Sequence, residues 1–220
     1  MYQAFVTNAA NDQTYYSMTR AHLPVKYAGA NRLVLKAHSV AFLADAMLGS
    51  IARKLRIFGF DTIYIAHAHD DEILKIGIEQ DRVILTADKE LFKRTVKVGA
   101  RGVLVSGGAS ELEDLAYILT NNGITSVGMN GISSRCSVCN GPMEEKTSDQ
   151  LKNHERNNDD VDYIVVPDRV IACYNQFFQC TTCGKIYWEG GHLKRIRALI
   201  RNLDDKLVGR DCTMTTTASY

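Results

Sequence analysis

The chain has 220 residues, 45% of them apolar, and a formal net charge of +1. That is enough for one ordinary domain and something smaller, and the balanced charge argues neither for nor against nucleic acid. No run of about 18 apolar residues offers a membrane span. The six cysteines come without a secretion signal, so the expectation is a cytoplasmic protein whose thiols serve metal or redox chemistry.

Residues 1–37 show no sustained period of 2 or 3.6 and read as an N-terminal extension, with Arg20, Lys26, Arg32 and Lys36 against Asp12. An apolar run over 40–43 then reads as a first buried strand that stops at Asp45. The helix after it carries Leu48, Ile51, Leu55 and Phe58 on one stripe and Ser50, Arg53 and Lys54 on the other side. Gly59 suits a left-handed cap, and Gly49 permits close approach of another backbone or a phosphate. Residues 61–66 make a second strand, and Asp70 or Asp71 opens a second helix that runs to about Gln80. A third strand over 82–85 ends at Thr86-Ala87-Asp88, and a short helix follows over 89–96. Residues 102–105 make a fourth strand, and Ser110 caps a helix ending at Asn121-Asn122-Gly123. Repeated strand–helix alternation predicts an α/β domain over 38–128, a parallel sheet with helices on both faces.

In such sheets ligands collect beyond the carboxyl ends of the strands, where this pattern puts Asp45, Asp88 and the pair Asp70 and Asp71. Clustered carboxylates favour a hard cation, so magnesium or manganese and a phosphodiester are the first expectation. Each aspartate also fits a plain helix cap. Thr86 could orient Asp88 or a water. Arg53, Lys54 and Arg56 could contact phosphate, or simply be a solvated helix face.

Residues 129–192 read as a second module. Cys136-x-x-Cys139 and Cys180-x-x-Cys183 are two glycine-followed knuckles, a four-thiolate set suited to structural zinc. The polar stretch 144–162 between them is expected to be an exposed loop. Cys173 and Cys212 lack partners at ligand spacing and read as a core thiol and a tail residue. Tyr187 and Trp188 could stack on a base, or form the module's small core. Residues 193–220 are expected to be a basic amphipathic helix, with Arg195, Arg197 and Arg201 on its polar face, and a disordered tail from 213.

The pattern Phe42-Leu-Ala-Asp45-x-Met47-Leu-Gly49 through Gly59-x-Asp61-Thr62 resembles the Mut-seven C-terminal ribonuclease family, whose domains are PIN-like. The likeness continues through 70–74, 82–88, Cys136-x-x-Cys139-Asn140 and Tyr187-Trp188-Glu189-Gly190, covering nearly all of 40–200. It implies a PIN-like parallel sheet flanked by helices, followed by a small zinc-ribbon module, and a metal-dependent endoribonuclease. It also implies RNA as partner, single-stranded or ribosomal, with ribosome association as a further expectation, and Asp45 as the first metal-ligand position, Asp88 as the last, and Asp70 or Asp71 between them. One departure is that the first helix carries Arg53, Lys54 and Arg56 where PIN nucleases often present a further acid. A non-catalytic RNA- or ribosome-binding protein on a degenerate PIN scaffold is therefore the alternative.

Overall fold

The computed structural model describes residues 40–105, 110–127, 134–155 and 166–214, so the N-terminal extension expected over 1–37 lies outside the described residues. Four short strands, β1 (Phe42–Ala44), β2 (Thr62–Tyr64), β3 (Val83–Thr86) and β4 (Gly102–Leu104), form a parallel sheet in the order β2-β1-β3-β4. The chain steps from β1 to one side for β2, then crosses to the other side for β3. The crevice between β1 and β3 is thus the topological switch point of the sheet.

Alternation along the strands splits the core into two layers. Phe42, Ala44, Val83, Leu85 and Val103 face one cluster, while Leu43 and Ile84 face the other. The first layer is covered by α1 (Gly49–Ile57) and α4 (Glu111–Asn121), which contribute Ile51, Ala52, Leu55, Leu115, Ile118 and Leu119. The second is covered by α2 (Asp70–Glu79) and α3 (Lys89–Lys97), through Ile73, Leu74 and Leu91. Phe42 and Phe60 meet edge to face with ring centroids 5.5 Å apart. Close packing of α2 on β3 requires Gly77, where a Cβ would lie 2.6 Å from Ile84 Cγ1. The parallel α/β architecture expected from the strand–helix alternation is the one found, with element ends shifted by one or two residues.

The second unit has its own antiparallel sheet, β5 (Met143–Thr147), β6 (Gln176–Cys180) and β7 (Ile186–Trp188), in that order. Helices α5 (Ser148–Glu155) and α6 (Asp168–Cys173) close a separate core of Leu151, Val166, Ile171, Phe177 and Ile186. The stretch expected as an exposed loop over 144–162 therefore contributes a strand and a helix, with 156–165 outside the described residues. Its polarity misled because β5 is an edge strand, held by main-chain pairing from Met143↔Cys180 to Thr147↔Gln176 rather than by apolar content. Cys173, expected in the core, is exposed at the end of α6.

The last helix, α7 (Gly191–Met214), is not an appendage. Ile196, Ile200, Leu203 and Leu207 recur at helical spacing and are buried in the first core, against α4. Asp204 accepts the Val127 N–H at 2.8 Å, and Lys206 lies 3.8 Å from Glu113. Lys194, Arg195, Arg197 and Arg201 remain on the exposed face. The tail expected to be disordered from 213 is helical to Met214, and 215–220 lie outside the described residues.

Candidate active site and metal centre

At the switch point three residues form one hydrogen-bonded line. The fully buried Thr86 hydroxyl donates to Asp45 Oδ2 at 2.8 Å and accepts the Asp88 N–H at 2.9 Å. Asp45 Oδ1 accepts the Ala46 N–H at 2.6 Å and so caps the short 3-10 helix Ala46–Leu48. Asp88 caps α3, its Oδ1 taking the N–H groups of Glu90 (2.6 Å) and Leu91 (3.2 Å). Both aspartates are therefore caps, but neither is used up. Each Asp45 oxygen keeps an acceptor site, and both bonds to Asp88 fall on one oxygen. Thr86 is buried and its hydroxyl is engaged on both sides, by Asp45 and by the Asp88 N–H.

The other acids at this edge are held by cations. Asp70 and Asp71 do not cap α2, whose N-cap is His69. They share Arg94 of α3, with Nη1 2.9 Å from Asp70 Oδ2 and Nη2 on Asp71. Glu111, at the start of α4, accepts from the Ser50 hydroxyl and pairs with Lys54 Nζ at 2.6 Å. Burial alone would raise its pKa, but the Lys54 and Ser50 hydrogen bonds and the Lys54 charge outweigh that and hold it below the ordinary value. Glu111 and Arg94 were both missed from sequence. The signal for Glu111 was an acid just after a fourth strand end. No local signal exists for Arg94, because its partners lie on another helix.

The three cations of α1 have separate fates. Lys54 neutralises Glu111, while Arg53 is exposed. Arg56 does not sit on the solvated face at all, which corrects its assignment to substrate: only 6% exposed, it donates to Thr62 O (2.8 Å), Ser137 O (3.0 Å) and Val138 O (2.9 Å). The last two carbonyls belong to the first cysteine knuckle. Beside it, Asn140 accepts the Thr62 N–H at 3.0 Å and donates to Asp61 Oδ1 at 2.7 Å. Arg82 grips Asp61 with both nitrogens, at 2.9 and 3.1 Å. Burial raises the Asp61 pKa, yet the hydrogen bonds from Arg82 and Asn140 and the charges of Arg82 and Arg135 carry it below the usual range. These contacts dock the second unit at the amino end of β2, the opposite edge of the sheet from Asp45.

The four cysteines come together. Among the described residues, Cys136, Cys139, Cys180 and Cys183 are the one group of three or more metal-ligating side chains whose ligand atoms converge, all within 4.8 Å of one another. Sγ–Sγ separations are 3.6 Å for Cys136–Cys183 and 3.4 Å for Cys139–Cys180. Tetrahedral zinc with bonds of about 2.3 Å needs sulfurs roughly 3.8 Å apart, so the set fits that ion with little movement. Four crowded thiols cannot all ionise alone, and they split. Despite burial, the Tyr187 hydroxyl and the N–H groups of Cys139 and Val138 bring Cys136 down to about 7. Burial and the neighbouring thiols push Cys183 up to about 12. Tyr187 is placed by this site, its hydroxyl 3.2 Å from Cys136 Sγ and 3.1 Å from Ser137 Oγ, while Trp188 packs on the module's core.

A parallel α/β domain with carboxylates at its switch point is joined to a four-cysteine ribbon whose thiols could hold a metal ion. The family model for the Mut7-C RNAse domain matches residues 40–200, and the chain belongs to that family. Its substrate is accordingly RNA. No curated protein and no solved structure matches the chain. No helix among the described residues is long and apolar enough to cross a membrane.

Proposed function

We propose that this chain is a divalent-metal-dependent endoribonuclease whose reaction centre lies at Asp45 and Asp88. The observation that carries the reading is the Asp45–Thr86–Asp88 line, which fixes two carboxylates at the switch point while leaving acceptor positions on both. Asp45 and Asp88 would hold a magnesium or manganese ion, with Asp70, Asp71 and Glu111 as further acids at the same edge. A bound ion would lower the pKa of a water and neutralise charge on the phosphoryl oxygens. Thr86 keeps the Asp45 carboxylate turned toward β3, and the helix N-terminus behind Asp88 favours a negatively charged group there. Arg94 holds Asp70 and Asp71 until substrate or metal competes for them. Arg53 is left to meet the phosphate backbone. Zinc is assigned to the ribbon, where it shapes the fold and takes no part in hydrolysis.

A second reading keeps RNA binding without cleavage, and the cation clamps favour it: the acids at this edge other than Asp45 and Asp88 include three whose charge is already met by Arg94 or Lys54. In that case the exposed face of α7 and the ribbon would carry the affinity, with ribosomal RNA as one class of target. Cleavage of unstructured RNA by the zinc-loaded chain with and without added Mn²⁺ separates the two. Asp45→Asn and Asp88→Asn should stay folded, since Asn also caps helices, and should lose cleavage. Parent-rate cutting by both variants would remove the catalytic assignment of these two aspartates, whereas a parent that cuts in no divalent ion leaves the binding protein.

A further inference from the structure

We propose that Met47 and Tyr64 form an apolar shelf beside Asp45 that receives the face of an unpaired nucleobase. The proposal rests on the nuclease reading of that edge. Met47 is 77% exposed. Isolated exposed apolar side chains are common and mean little by themselves. This one is carried on a turn fixed at three points. The Asp45 carboxylate takes the Ala46 N–H at 2.6 Å, the Leu48 N–H bonds to Asp45 O at 2.9 Å, and the Tyr64 hydroxyl donates to Ala46 O at 3.0 Å. Leu48, next along, is buried and anchors the turn from below.

Tyr64 is equally constrained. Its hydroxyl is spent on the turn, and its ring lies over Gly49, where a Cβ would come 3.0 Å from Cζ and 3.1 Å from the hydroxyl. Gly49 thus makes room for this ring rather than for a phosphate. Tyr64 as a whole is still 37% exposed. Register pairs Tyr64 with Ala44, so the shelf stands on the β2 side of Asp45 while Thr86 and Asp88 stand on the β3 side. Met47 lies two positions after Asp45, which keeps their Cα atoms within about 8 Å, since consecutive Cα atoms are about 3.8 Å apart. A nucleotide with its phosphate at Asp45 can lay its base there. A thioether and a phenol offer a polarizable face to a base of any identity, but a paired base hides its faces in the duplex stack.

The test uses the full-length zinc-loaded chain without added magnesium or manganese, so that binding is read without cleavage, and short RNA oligonucleotides carrying 2-aminopurine at successive positions. One position of the single strand should be quenched on binding. Met47→Ala should weaken that quench and lower affinity roughly two- to twelvefold, the effect of losing one sulfur–aromatic contact. Met47→Leu, which keeps the apolar area, should restore most of it. Tyr64→Phe keeps the ring but releases the turn, and should weaken the quench less than Met47→Ala. In metal, the parent should cut the single strand in preference to a hairpin of the same sequence, and Met47→Ala should lose that preference. Equal quench and affinity in the parent and Met47→Ala, or equal binding of single strand and duplex, overturns the proposal. The two readings fail separately. Cleavage that proceeds with a quench insensitive to Met47 removes the shelf alone. A Met47-dependent quench without cleavage in any divalent ion removes the nuclease and leaves the shelf.

Discussion

Replacing Arg56 by alanine tests how the two units are joined. Its guanidinium donates to the carbonyls of Thr62, Ser137 and Val138, one in the sheet and two in the first cysteine knuckle. A hydrogen bond involving a charged group is worth about 1.5–3 kcal/mol, so three give a gross contribution of roughly 4–9 kcal/mol. Part is offset by the cost of burying the guanidinium, which is what lowers its pKa. A net loss of about 3 kcal/mol is expected, within the range of mutations that break a buried polar network. For a protein of this size that lowers Tm by roughly 6–12 °C. Thermal and urea unfolding measure the stability, and chelator competition measures zinc retention, which should fall because two of the orphaned carbonyls lie between Cys136 and Cys139. If Arg56→Ala melts with the parent, keeps its zinc equally well and instead weakens RNA binding, the guanidinium faces substrate and the docking argument is wrong.

Other outcomes follow from the same geometry. Asp61 has a lowered native pKa, so its contribution is complete above the unfolded value of about 3.9 and is lost as pH falls through the lower native value; Asp61→Asn should remove that acid-side dependence from a pH series of urea midpoints and destabilise the protein at neutral pH. Tyr187→Phe deletes a donor to Cys136 Sγ and should weaken zinc binding about 10–100-fold by competition with a chromogenic chelator, with the fold retained. Gly77→Ala puts a methyl group against the fully buried Ile84 side chain, which has little room to turn away, and should cost about 1–3 kcal/mol in urea unfolding. Unchanged midpoints for that variant would mean that the α2–β3 packing is looser than described.

Much of the fold was legible in the chain because its signals are local. Phe42–Ala44 and Val83–Thr86 are apolar and punctuated by aspartate, as doubly covered strands must be, and the caps Asp88, Ser110 and Gly59 mark their helix ends within a turn. The two cysteine knuckles were equally plain, since metal spacing is written in single residues. What sequence could not give was pairing at long range. Lys54 and Arg56 are basic residues two positions apart on one helix, yet Arg56 is buried against the ribbon and Lys54 neutralises Glu111, 57 positions along the chain. Asn140 meets Asp61 across a separation of 79 residues. The apolar stripe of α7 was visible, but not that it closes the first core rather than extending from the ribbon. Composition and periodicity fix which face of an element is apolar. Which partner covers that face, and which carboxylate a given cation reaches, is decided only when elements distant in sequence pack together.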